Sequence, residues 1–331
     1  MGKFLIGAVA GALTIASMGA AWAQDNSVTL QLKWVTQGQF AGYYVAQAKG
    51  FYEEEGLTVE IKPGGPDIAP EQVIAGGGAD VITTWMAAGL AARERGVPLV
   101  NIAQPFKQSG LLLTCSKEAG VETTADFKGK TLGVWFFGNE YPFYAWMAKL
   151  GLSTEGGAEG VEVLKQAFNV DPLIQKQADC ISTMTYNEYG QVLKAGITPE
   201  ELTVFNYRDE GVGMLEDGLY VLEENLADPA FVEKMTKFVR ASMKGWEYTR
   251  ANPEEAAQIV VDNDSTGAMT VEDQLYQVTE VNKLTEGSTG ALDEADYQQT
   301  VDTLLSAVSP DNPAITKAPE GAFSHVVTDA L

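Results

Sequence analysis

Residues 30–52 read LQLKWVTQGQFAGYYVAQAKGFY, and the reading of this stretch decides the fold. Leu30 and Leu32 alternate with Gln31 and Lys33, the period of two that marks a strand, whereas Tyr44, Val45, Ala48, Phe51 and Tyr52 recur at helical spacing. A strand that runs through a small-residue loop into a helix is the opening unit of an α/β lobe. In an open α/β sheet, small molecules are met beyond the carboxyl ends of the strands. Trp34, Gln37, Gln39, Phe40 and Tyr43 therefore fall where a ligand would sit, with burial in the core as the alternative for each aromatic. Tyr44 and Phe51 are assigned to the core.

Outward from this unit the rhythm repeats. Strands are expected at Thr58–Lys62, 79–84 and Leu99–Ala103, with helices over 71–75 and 86–95. Gly56 suits the left-handed residue that ends a helix, and Pro70 the first position of one, where a missing N–H is harmless. Residues 105–110, PFKQSG, interrupt the rhythm and form a candidate hinge. A second α/β unit follows, with strands at Leu111–Ser116, 131–136, 161–164, Cys180–Met184 and 202–205. The glycine-rich run 211–218 reads as a return crossing into a strand at 219–222. Lobe 1 is thus predicted to comprise residues 24–108 and 216–331, and lobe 2 residues 109–215. A helix over 231–246 puts Phe231, Met235, Phe238, Val239 and Trp246 near one face and should pack on lobe 1.

The first 23 residues differ in kind. Lys3 precedes an apolar run over 4–16 that is too short to span a bilayer, and Ala21-Trp22-Ala23 has the small-x-small form of a signal-peptide cleavage site. Cleavage after Ala23 is expected, giving a secreted chain. The formal charge is −23, and loss of the leader makes it one unit more negative, because the leader holds Lys3 and no acid. Such a surface repels phosphate backbones and argues against a nucleic-acid partner. The two cysteines, Cys115 and Cys180, lie in apolar strand-like runs; two buried free thiols are the favoured reading and a disulfide is the alternative.

The catalytic inventory is thin. The single histidine, His325, stands near the end of the chain, and the cysteines lack CxxC spacing, so neither a triad nor a metal cluster is in evidence. Gly76-Gly77-Gly78 precedes a strand and not a helix, which makes it a turn, not a phosphate loop. What stands out are polar and aromatic residues just past strand ends: Thr84 and Trp85; Asn139, Glu140 and Tyr141; Tyr186, Asn187 and Glu188. Aromatics there offer flat walls for a planar ring, and amides and a carboxylate supply directed hydrogen bonds. The combination suits a heteroaromatic that carries amino groups, with Glu188 facing a ring nitrogen and its exocyclic amine. The alternative for Glu188 is an acid favoured by the dipole of a helix first turn.

In their order along the chain, the segments YYVAQAKGFYEEEGLTVEI, GGGADVITTWMAAGLAARERGVPLV and DCISTMTYNEYGQVL resemble the periplasmic substrate-binding proteins of bacterial ABC importers, within them the thiamine-pyrimidine-synthase-like family. The resemblance implies the type II periplasmic-binding-protein fold: two α/β lobes, joined by two crossing strands that act as the hinge, closing over one ligand. It further implies a monomer that hands its ligand to an inner-membrane permease and needs neither cofactor nor metal. Trp34 and the TYNEY run look closest to the binders of thiamine-type pyrimidines and, next, of riboflavin; the loops carry no basic cluster of the kind a sulfonate favours. Gln37 and Phe40 depart from the Asn and His typical of the pyrimidine binders, and QFAGYY is similar to flavin binders. The family includes a fungal enzyme that uses its own Lys and His, but those positions fall on Thr84 and Ala88 here. Without an amine at that position no Schiff base forms there, so the expectation is a binding protein and not an enzyme.

Overall fold

Strand β1 (Ser27–Gln31) turns Val28 and Leu30 inward and runs parallel to β2 (Thr58–Lys62) and β3 (Val81–Thr84). With β4 (Leu99–Ala103) and the late strand β10 (Gly218–Leu222) they make a five-stranded sheet in the order β2-β1-β3-β10-β4. A second sheet holds β5 (Leu111–Ser116), β6 (Thr131–Val134), β7 (Glu162–Lys165), β8 (Cys180–Met184) and β9 (Leu202–Asn206), in the order β7-β6-β8-β5-β9. This computed structural model describes residues 1–2, 26–136, 138–306 and 313–331. The leader over residues 3–23, its cleavage after Ala23, and Phe137 lie outside the described residues.

The two sheets share one logic. In each, a single strand runs antiparallel: β10 against β3 and β4, and β5 against β8 and β9. Both are the strands that enter from the other sheet, β5 after residues 104–110 and β10 after residues 207–217. A chain that leaves one sheet at a carboxyl end, facing the cleft, must enter the next sheet from the cleft and so runs against its neighbours. The parallel strands of both sheets therefore point their carboxyl ends at the same cleft, where the loops between strand and helix collect.

The expected crossing strands are irregular backbone instead, since neither segment pairs with a ladder. Backbone that leaves a sheet needs other partners, and side chains supply them. Gln104 Nε2 donates to the carbonyls of Phe106 at 2.9 Å and Glu216 at 2.6 Å, clipping one crossing to the other. The Glu216 carboxylate accepts from the Ser109 hydroxyl and from Gly110 N. The crossing glycines serve close packing: a methyl on Gly110 would meet Thr185 and Leu284, and one on Gly218 would meet Asn101 and Gln104.

Cys115 and Cys180 form a disulfide, which corrects the free-thiol reading. They are directly opposed in the antiparallel β5–β8 ladder, with Cα atoms 3.9 Å apart. That pairing arises because β5 arrives by a crossing, a fact of topology that spacing along the chain does not display.

The long helix Pro229–Ala251 packs on the helix Ala41–Ala48. Tyr43 meets Trp246 edge-on at 5.5 Å and Tyr52 stacks on Phe238 at 5.4 Å. Phe51, expected in the core, is half-buried at the rim, edge-on to Tyr248 and beneath the Lys244 ammonium. Its one-turn helix, Phe51–Glu54, is set off from the preceding helix by left-handed Gly50, which gives the core side to Tyr52.

Candidate functional site

The loops at the strand ends line a pocket open to solvent, with about 430 Å³ of space that includes the open mouth. From the first sheet, the segment after β1 contributes Trp34, Gln37 and Gln39, and the residue after β3 contributes Trp85. From the second, Asn139 follows β6, and Tyr186, Asn187 and Glu188 follow β8. These eight of the sequence-derived candidates border one space.

The other five do not border it. Phe40 and Tyr43 are fully buried, Tyr43 against Trp246, because the helix they lead into turns that face toward the Pro229–Ala251 helix. Thr84 is the last residue of β3, buried, and its hydroxyl donates to Glu71 at 2.5 Å. Glu140 accepts from Gly138 N at 2.7 Å and so closes its own loop. Tyr141 enters a separate apolar cluster with Met86 and Leu90 and receives a bond from Arg95.

Four lining residues escaped the sequence reading: Lys33, Trp135, Phe168 and Met184. Trp135 directly follows β6, which ends at Val134 and not at the expected residue 136. Phe168 lies past the end of β7, where the strand-end rule applies equally, and its ring stands 4.4 Å from that of Trp34 across the cleft. Lys33 and Met184 read as strand alternation.

A chain of polar side chains crosses the cleft. Gln39 Nε2 donates to Asp217 at 2.5 Å, and Gln37 Nε2 to Gln39 Oε1 at 2.6 Å. Asn187 Nδ2 reaches Gln37 Oε1 at 3.5 Å and donates to Glu188 Oε1 at 3.0 Å. Gly38 N, held by Gln274 at 2.7 Å and Gln277 at 3.0 Å, fixes the turn that carries both glutamines.

Glu188 is 6% exposed. Its other oxygen accepts from Met184 N at 3.0 Å. Burial pushes its carboxyl up to about 7, against the downward pull of the bonds from Met184 and Asn187. Burial likewise raises Asp217 to about 6, with Gln39 and the Lys33 charge acting downward. Trp85 Nε1 and Asn139 Oδ1 are buried without a partner among the described residues. Aromatic rings, an unfilled donor, an unfilled acceptor and a buried carboxylate together can stack a flat ring and bond its edge. No group of His, Cys, Asp and Glu among the described residues is arranged to hold a metal ion.

A second, solvent-open space, about 740 Å³ with its mouth included, adjoins the first and shares Lys33, Trp34, Asn139 and Phe168 with it. Its outer wall is the segment over 65–71, with Pro66, Asp67, Ile68 and Glu71.

Residues 37–256 match the family described as NMT1/THI5 like. The formylaminopyrimidine-binding protein of Halalkalibacterium halodurans is 23% identical over 308 residues, 91% of this chain and 90% of that one. The riboflavin-binding protein RibY of Chloroflexus aurantiacus is 28% identical over 240 residues, 70% of this chain and 64% of its own length. Among solved structures, the periplasmic aliphatic sulphonate binding protein SsuA from Escherichia coli superposes with a TM-score of 0.64 at 14% identity, covering 88% of this chain and 89% of that one, a likeness of fold.

Proposed function

We propose that this chain, which belongs to the NMT1/THI5-like family, is an extracytoplasmic binding protein that captures a thiamine-type aminopyrimidine and delivers it to an ABC permease. One observation carries the reading: a buried carboxylate, Glu188, and its partner Asn187 sit at the edge of a cavity walled by Trp34, Trp85, Trp135 and Phe168. An aminopyrimidine presents the matching edge, a ring nitrogen beside an exocyclic amine, and a face for the aromatic walls. The named ligand of the Halalkalibacterium halodurans relative supports this class. Binding proceeds by rotation of the lobes, residues 24–108 with 216–331 against 109–215, about the two crossings.

Riboflavin is the second reading. The space beyond Lys33 supports it, since a larger ligand has room to extend there, as does the name of the Chloroflexus aurantiacus relative. Binding is favoured over turnover because Thr84 offers no amine and Ala88 no nitrogen base where the fungal enzyme has its reactive pair. The chain acts as a monomer and needs no cofactor in this reading.

The test is a thermal-shift screen of aminopyrimidines, riboflavin and alkanesulfonates, followed by calorimetry. A ligand present at 100 times its Kd adds about 2.7 kcal/mol to stability. A shift with aminopyrimidines supports the proposal, a shift with riboflavin alone transfers it to the second reading, and a shift with sulfonates alone overturns both.

A further inference from the structure

Lys33 is 8% exposed, and its side chain borders both the ring cavity and the adjoining space. Its backbone N donates to Thr83 at 2.8 Å, which pins the residue to β3 just beyond the end of β1. Its ammonium stands 5.4 Å from the centroid of the Trp85 ring. Among the described residues it has no carboxylate within the 4.0 Å of an ion pair and no hydrogen-bond acceptor. The acids that feel its charge, Asp217 and Glu140, are bonded to Gln39 and Gly138 respectively.

An ammonium carries three donors, and a ligand that closes over Lys33 strips away the water the empty cleft leaves it, which is unfavourable unless the ligand supplies an acceptor. The rings of Trp34 and Phe168 and the amide of Asn139 also border both spaces, so a substituent leaving a stacked ring for the outer space passes Lys33.

Resting on the aminopyrimidine reading, we infer that Lys33 is the specificity residue for an acceptor oxygen on the ring substituent, so that the ligand class is a heterocycle bearing a carbonyl or singly charged oxygen group. The outer wall narrows the class further. Asp67 and Glu71 line the space into which the substituent runs, and they oppose a doubly charged phosphate while leaving a formamide or hydroxyl unopposed.

The test compares ligands that share a ring. Calorimetry measures the wild type, K33M and K33R against 4-amino-2,5-dimethylpyrimidine and against the same ring carrying 5-formylaminomethyl, 5-hydroxymethyl or 5-phosphooxymethyl. The expected result is a loss of tenfold or more in K33M for the formylaminomethyl probe, a change under twofold for the dimethyl probe, partial recovery in K33R, and weaker binding of the phosphate than of the formamide. Equal losses for all four probes in K33M, or no loss for any, would overturn the inference. Thermal unfolding of K33M confirms that it folds. If the wild type binds no pyrimidine, the aminopyrimidine reading has failed on its own, and riboflavin against lumiflavin, which share a ring and differ in the hydroxylated chain, repeats the comparison. A K33M loss confined to riboflavin then sustains the role of Lys33, and its absence, or no binding in either series, overturns it.

Discussion

Replacing Glu188 with glutamine separates what the carboxylate contributes to binding from what it does to the empty protein. Its carboxyl is raised by burial from 4.5 to about 7. The unfolded chain releases this proton near its ordinary value and the folded chain only near neutrality, so the folded state holds the extra proton between the two. Stability must therefore fall as pH rises through that window and stay low above it. Two and a half units at 1.36 kcal/mol each give a loss on the order of 3 kcal/mol at pH 8. Glutamine removes the titration but keeps the volume. Its carbonyl serves one of the donors, Met184 N or Asn187 Nδ2, and its amide faces the other, at about 1 kcal/mol.

The ligand-free E188Q variant is expected to be about 2 kcal/mol more stable than the wild type at pH 8 and about 1 kcal/mol less stable at about pH 3.5, below both values of the carboxyl. Urea denaturation at both pH values, with equal slopes, measures this. Asp217 and Glu216 are also raised by burial, to about 6 and about 8, but they titrate in both proteins and drop out of the difference. The same variant should bind an aminopyrimidine more weakly by roughly 1.5 to 3 kcal/mol, the worth of a charge-assisted pair. A stability difference that does not change sign between the two pH values would refute the burial argument. An unchanged Kd would remove Glu188 from the ligand.

The Cys115–Cys180 bridge closes a loop of 65 residues, and constraint of the unfolded chain on that scale is worth about 4 kcal/mol. The C115S/C180S double variant should unfold at a lower denaturant midpoint by that amount, matching the reduced wild type, and an unchanged midpoint would show that the bridge constrains little. At the helix crossing, a methyl on Gly245 would overlap the carbonyl of Gly42. G245A should lower stability by about 2 kcal/mol even after the roughly 1 kcal/mol gain in helix propensity, read as a drop in Tm; a higher Tm would mean that the helices part freely.

Much of the fold was legible because independent local signals agreed. Thr58–Lys62, Leu99–Ala103 and Cys180–Met184 sit at the residues where apolar period and Gly or Pro punctuation coincide. The pocket was legible by the strand-end rule, which points to Trp34, Trp85 and Glu188 among its lining residues. The same rule failed for Phe40 and Tyr43, because the rotation of their helix is decided by Trp246, about two hundred residues away in the chain. It does not reach Trp135 because the apolar run continues two residues past the end of β6 at Val134, nor Lys33 because a lysine at the end of an alternating strand has the same local pattern whether it faces solvent or a cleft.

The contacts that join the two sides of the cleft explain why a ligand should govern closure. Asn187 receives a bond from Gln277 at 3.2 Å, Tyr276 donates to the Thr185 carbonyl at 2.8 Å, and Trp34 meets Phe168. Such bonds are worth about 1 kcal/mol each net of water, and an aromatic pair about the same. The apolar cluster of Met86 and Leu90 with Tyr141 and Ala145, and the Lys194–Asp273 pair, add to them. Moving a two-state equilibrium from 1:99 to 99:1 takes about 5.5 kcal/mol of differential affinity. A ring held between Trp34 and Gln37 on one side and Asn187 and Glu188 on the other makes its second set of contacts only when the sides meet, so its binding energy falls on the joined state. A ligand that touched one side alone would leave the equilibrium where it stood. Lys33 and Glu188 line the same pocket from the two sheets, so a ring that met both would tie its identity to closure.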